Sequence, residues 1–78
     1  MTDIPKNATE LIRIQASEFK GRDYIDVRVW LKPDTPGGEP TPTRKGVAFG
    51  REQLPDVIRA LSAIQRQENG NRYRNASA

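Results

Sequence analysis

The sequence predicts a small α+β domain: a few antiparallel β-strands followed by one C-terminal α-helix. Three observations predict it. Apolar and polar residues alternate over residues 11–19 and again over 24–32, with a short Gly-containing connection between them; that period of two marks half-buried strands joined as a hairpin. Leu54, Val57, Ile58, Leu61 and Ile64 recur at helical spacing near the other end, one apolar stripe along a helix. Between these regions, residues 33–42 hold four Pro and two Gly. Pro supplies no ladder donor and Gly resists order, so this stretch reads as a loop.

Taken in order, residues 1–10 mix Thr, Asp, Pro, Lys and Asn without periodicity and read as a flexible N-terminal arm. The first strand, LIRIQASEF, places Ile12, Ile14 and Ala16 on one side and Arg13, Gln15, Ser17 and Phe19 on the other. Lys20-Gly21-Arg22-Asp23 makes the hairpin connection. The second strand, YIDVRVWLK, sets Ile25, Val27, Val29 and Leu31 against Tyr24, Asp26, Arg28, Trp30 and Lys32. After the Pro/Gly loop, residues 43–50 offer a third short strand with Val47 and Phe49 inward. Residues 51–67 form the helix, with Gly50 as N-cap, Glu52 at the positive end of the dipole and Arg66 at the negative end. Pro55, one turn in, removes a backbone hydrogen bond and predicts a tight first turn or a kink. Residues 67–78 carry one aromatic, Tyr73, and read as a flexible C-terminal tail. The domain itself spans residues 11–66, with three strands legible and room for a fourth.

Composition excludes most catalysis. The 78 residues include no His and no Cys, so there is no imidazole base, no thiolate nucleophile and no disulfide or Cys/His metal site. No metal or other cofactor and no enzymatic activity are expected. The carboxylates Glu18, Asp23, Asp26, Asp34 and Glu39 are scattered and form no paired set. Gly37-Gly38 is followed by no Lys-Ser/Thr and no helix, so it is not a phosphate loop. Without disulfide or metal, a core this small needs another source of stability. A homodimer is expected, with Leu54, Val57, Ile58, Leu61 and Ile64 of each subunit at the interface. No apolar run spans a bilayer and the N-terminus lacks a signal-peptide pattern. The expected location is cytoplasmic, on the nucleoid if the source is bacterial.

The net charge of +3 is small, but nine of the thirteen cations are Arg, the side chain suited to bidentate phosphate contacts and stacking. One face of the predicted hairpin gathers Arg13, Phe19, Lys20, Arg22, Tyr24, Arg28, Trp30 and Lys32. Aromatic rings interleaved with cations make a stacking platform for unpaired bases beside a track for phosphates. Arg44-Lys45-Gly46 adds a basic turn where missing side-chain bulk lets a phosphate approach the backbone. The pattern alone is equally compatible with Trp30 and Phe19 packing against a partner subunit or the loop. Asp26 is expected to pair with Arg28 or Arg13.

Phe19-Lys20-Gly21-Arg22, then Ile25-Asp26-Val27-Arg28, then Arg44-Lys45-Gly46-Val47 and the Glu52-Gln53-Leu54 helix start occur in one order. That ordered set, over residues 11–66, resembles the transcriptional coactivator family of positive cofactor four, including its bacterial members. The resemblance implies a curved antiparallel sheet with a C-terminal helix, dimerised through the helices and binding single-stranded or melted DNA. By that likeness Phe19 stacks on a base, Lys20, Arg22, Arg28, Arg44 and Lys45 meet phosphates, and Gly46 permits close approach. The DNA-binding set expected overall is Arg13, Phe19, Lys20, Gly21, Arg22, Arg28, Trp30, Lys32, Arg44, Lys45 and Gly46. The expected role is a largely sequence-independent single-stranded-DNA binder in transcription, replication or repair. Two alternatives stay open: RNA as the ligand, and a module docking a polymerase or replication protein.

Overall fold

A computed structural model describes residues 1–67. It contains strands β1 (Thr2–Pro5), β2 (Glu10–Phe19), β3 (Arg22–Leu31) and β4 (Thr41–Gly50), a 3-10 turn at Arg51–Gln53, and helix α1 (Leu54–Arg66). The strands form one antiparallel, curved meander in the order β1-β2-β3-β4. The expected tail at residues 67–78 lies, beyond Gln67, outside the described residues.

Register decides which residues share a face. Ile12 stands opposite Val29, Ile14 opposite Val27 and Ala16 opposite Ile25. Across the next ladder, Val27 meets Val47 and Ile25 meets Phe49. One face of the sheet is therefore apolar, as the period of two predicts. The other pairs Leu11 with Trp30, Arg13 with Arg28, Gln15 with Asp26 and Ser17 with Tyr24.

The β2–β3 hairpin is tighter than the four-residue connection expected. Phe19 pairs with Arg22, leaving only Lys20 and Gly21 at the tip, with φ of 53° and 77°. Positive φ at both central residues is the mark of a type I′ turn, whose twist matches that of the strands it joins. Gly21 adopts it without strain; Lys20 is a side chain that seldom does.

Two expectations need correction. Residues 1–10 are not an arm without structure: Thr2–Pro5 pairs with β2, from Thr2 opposite Ile14 to Pro5 opposite Leu11. A side-chain-capped turn brings the strand back. The Asn7 carboxamide oxygen accepts from the N–H groups of Thr9 and Glu10 at 3.0 and 2.8 Å, and the Lys6 and Asn7 N–H groups donate to the Glu10 carbonyl. The Pro/Gly loop also ends earlier than residue 42, because Thr41 and Pro42 open β4 opposite Leu31 and Trp30. Pro42 is tolerated there because β4 is the free edge of the sheet.

A bulge interrupts β4. Gly46 pairs with Arg28 and Pro42 with Trp30, so Thr43, Arg44 and Lys45 together oppose Val29. The Thr43 hydroxyl closes the irregularity, donating to the Val29 carbonyl at 2.8 Å and accepting from the Lys45 N–H at 3.1 Å. Such bulges bend a strand and re-aim its side chains.

The entry to α1 carries the tight turn that Pro55 predicts. The chain passes through the 3-10 turn, the Gly50 N–H donates to the Gln53 carboxamide at 3.1 Å, and Pro55 falls in the first turn of α1, where its missing N–H is of no consequence. Little of the apolar surface is covered. Among the described residues only Leu11 and Ile25 are buried, while Val47, Ile58 and Leu61 are each more than half exposed.

Candidate nucleic-acid interface

The candidate residues separate into cations already engaged by the protein and cations left open. On the polar face, Arg13 lies over the Trp30 ring, its guanidinium carbon 4.3 Å from the ring centroid. Asp3, its cross-strand neighbour on β1, grips that guanidinium through two hydrogen bonds, Nε to Oδ1 at 2.8 Å and Nη2 to Oδ2 at 2.9 Å. The pairing lowers the Asp3 carboxyl below the ordinary carboxylate range and raises Arg13. The result is a stack of Asp3, Arg13 and Trp30. Within it the Trp30 Nε1 is buried and has no hydrogen-bond partner.

Arg28 is held in a similar way. Its Nη2 donates to Asp26 Oδ1 at 2.8 Å and its Nη1 to the Thr43 carbonyl at 3.1 Å, and the Asp26 hydrogen bond raises its pKa. Of the two partners expected for Asp26, the structure selects Arg28. Lys32 donates to the Asn7 carbonyl at 2.9 Å, tying the end of β3 to the β1–β2 turn.

The open cations sit at the hairpin tip and the bulge. Phe19 is 62 % exposed, and the Lys20 ammonium lies 5.4 Å from its ring centroid. Arg22 follows directly, with Gly21 between it and Lys20. Arg44 and Lys45 are exposed on the bulge. Among the described residues, none of Lys20, Arg22, Arg44 and Lys45 has an ion-pair partner.

Packing gives Gly46 a reason to be small besides the one expected. A Cβ built on it would stand 2.6 Å from the Val27 carbonyl oxygen and 2.7 Å from the Arg28 Cα. The close approach is that of β3 to β4, and the phosphate access expected at Gly46 is not needed to explain it. Of the expected interface residues on α1, Leu54 and Val57 are half-buried and Ile58, Leu61 and Ile64 are exposed.

Sequence reasoning missed Asp3 and Thr43. Nothing local marks Asp3, since its partner lies ten positions away. Asn7-Ala8-Thr9 did carry a signal: an Asn followed two positions on by Thr suits a side-chain-capped turn, and such a turn implies a strand returning ahead of it. No group of three or more metal-ligating side chains occurs among the described residues, and no described helix is long and apolar enough to cross a membrane.

A curved four-stranded meander ending in a helix, with open cations and an exposed ring beside its hairpin, defines a sheet-based nucleic-acid-binding module. The chain belongs to the family described as Transcriptional Coactivator p15 (PC4), whose model matches residues 6–60. That is a family of non-enzymatic, DNA-binding coactivators. Among solved structures, a PC4 homologue from Burkholderia pseudomallei is 36 % identical, with a TM-score of 0.74 over 86 % of this chain and 88 % of that one. A bacteriophage T5 homologue of the eukaryotic coactivator PC4, implicated in recombination-dependent DNA replication, is 26 % identical, with a TM-score of 0.66 over 87 % of this chain and 80 % of that one. No curated protein gives a significant match.

Proposed function

We propose that this protein is a homodimeric binder of single-stranded or melted DNA, with little sequence preference, acting in transcription, replication or repair. The observation that carries the reading is an exposed Phe19 at the hairpin tip beside the unpaired Lys20 and Arg22, with a second pair of unpaired cations, Arg44 and Lys45, further along the sheet at the β4 bulge. An exposed ring offers a stacking surface that every base can use, and unpaired cations are available to phosphates without first breaking an internal ion pair. Arg13, Arg28 and Trp30 lie on the adjoining face and extend the track. Lys32 lies at the bulge end of β3, where it also holds the β1–β2 turn through the Asn7 carbonyl. Family membership supports DNA as the ligand, and the cytoplasm, on the nucleoid of a bacterial cell, is the compartment this role implies.

The test is titration of the protein with oligo-dT, an RNA oligomer of matched length and duplex DNA, followed by anisotropy of the labelled oligomer. Oligo-dT is expected to bind tightest. Phe19→Ala is expected to weaken that binding by about 1–3 kcal/mol, the worth of one stacked base, while leaving the melting temperature unchanged because the ring is exposed. Tighter binding to RNA would assign the other nucleic acid; equal, weak binding to all three would overturn the reading.

A further inference from the structure

The proposed binding face contains a site that the protein itself fills. Arg13 and Trp30 stacked together present the two groups a single nucleotide needs, a planar surface and a phosphate partner. Asp3 already occupies the phosphate partner's place, with both carboxylate oxygens on the guanidinium. A carboxylate bound side-on to Arg uses the same pair of donors that a phosphate would use. The side chain of Arg13 is 11 % exposed, whereas that of Asp3 is 38 % exposed, so the carboxylate is the solvent-facing cover of the stack.

The element carrying the cover is built weakly. Strand β1 has four residues, all exposed, lies at the edge of the sheet and pairs with β2 alone. Short exposed edge strands open at low free-energy cost compared with the strands inside a sheet. In the same stack, the Trp30 Nε1 donor is buried without a partner, and a buried orphan donor in a native structure calls for an explanation.

We propose that Arg13 and Trp30 form a nucleotide subsite closed in the free protein, and that β1 is a displaceable strap whose Asp3 stands in for the phosphate. This inference rests on the single-stranded-DNA reading. Nucleic acid displaces Asp3 from Arg13, a phosphate takes its two donors, and β1 leaves the edge of β2. The strap weakens binding at this subsite, and it leaves the open cations at the hairpin and bulge to make the first contact.

The experiment compares wild type with Asp3→Asn, which removes the charge and keeps the shape. Oligo-dT affinity is measured by anisotropy, and hydrogen exchange of β1 is followed in the free and bound wild-type protein. Asp3→Asn is expected to bind about two- to fivefold tighter, the range that loss of one exposed competing ion pair allows. Its affinity is also expected to fall more steeply with salt, because salt itself weakens the Asp3–Arg13 pair and so offsets part of the wild-type loss. In the wild-type complex the amides of Asp3 and Ile4 are expected to exchange faster than in the free protein. Unchanged or weaker binding by Asp3→Asn, or slower β1 exchange in the complex, would overturn the strap while leaving the DNA reading intact. Failure of both proteins to bind oligo-dT would instead overturn the functional reading on which the strap rests.

Discussion

Gly46 shows how one atom fixes the alignment of the interface. The β3 and β4 backbones approach so closely at Gly46 that an added methyl group would overlap the Val27 carbonyl and the Arg28 Cα. Both of those atoms are backbone, so a side-chain rotation cannot relieve the overlap and β4 must move off β3. Gly46→Ala is therefore expected to destabilise the fold by about 1–3 kcal/mol, the usual cost of overpacking, read as a lower midpoint in urea denaturation with an unchanged slope. Wild-type stability in that variant would mean the two strands are not in contact at this point. The sequence carried Gly46 as a site residue through its neighbours Arg44 and Lys45, and its position in the motif was legible. Its physical reason was not, because the clash involves residues 18 and 19 positions away on another strand. Separation in sequence, ten positions, likewise hid the pairing of Asp3 with Arg13, whereas Asp26 and Arg28, two residues apart on one face, could be matched from the pattern alone.

Among the elements, β2, β3 and α1 declare themselves through long, regular periodicity, and the hairpin between β2 and β3 through Gly21. Strand β1 does not, since Thr-Asp-Ile-Pro is too short to show a period and contains one strongly apolar residue. It exists because β2 offers a free edge and because two ionised carboxylates help to hold the corner. Asp3 pairs with Arg13, and Glu10 accepts from Asn7 at 2.8 Å and from Lys6 at 3.1 Å. Those hydrogen bonds lower both carboxyls below their ordinary values of 3.8 and 4.5. A carboxyl with a depressed folded-state pKa stabilises the fold above its unfolded value, and that contribution disappears as pH falls through the folded value. β1 and its turn are accordingly expected to loosen as the pH drops below about 4, with β2 and β3 still paired. Amide exchange by NMR across that range checks it: faster exchange at Asp3 and Ile4 ahead of Val27 is the expected order, and a single concerted loss of all strands would exclude it. The same loosening opens the subsite proposed at Arg13 and Trp30 without nucleic acid.

The homodimer we propose makes the whole molecule larger than one chain, and the exposed apolar surface supports it. The apolar face of the sheet and the stripe on α1 leave Val47, Ile58, Leu61 and Ile64 exposed, with Ile58 at 54 % and Leu61 at 61 %. Apolar surface of this extent is stabilised when it is removed from water, at about 25 cal/mol per Å², and a second copy presents the complementary stripe by two-fold symmetry. No disulfide or metal site among the described residues supplies an alternative. The stripe was legible as five residues at helical spacing, and its place at a subunit interface was expected from the lack of a disulfide or metal rather than from periodicity, which says nothing of what meets an apolar face. A homodimer makes stability depend on protein concentration by mass action, so the thermal midpoint is expected to rise as concentration is raised. Sedimentation equilibrium should give twice the 8.8 kDa chain mass. Leu61→Glu, which places a charge in the centre of the stripe, is expected to abolish the dimer and lower the midpoint together, because the subunit has little core of its own. A midpoint independent of concentration, or a Leu61→Glu protein as stable as wild type, would show that the sheet and helix are closed within one chain.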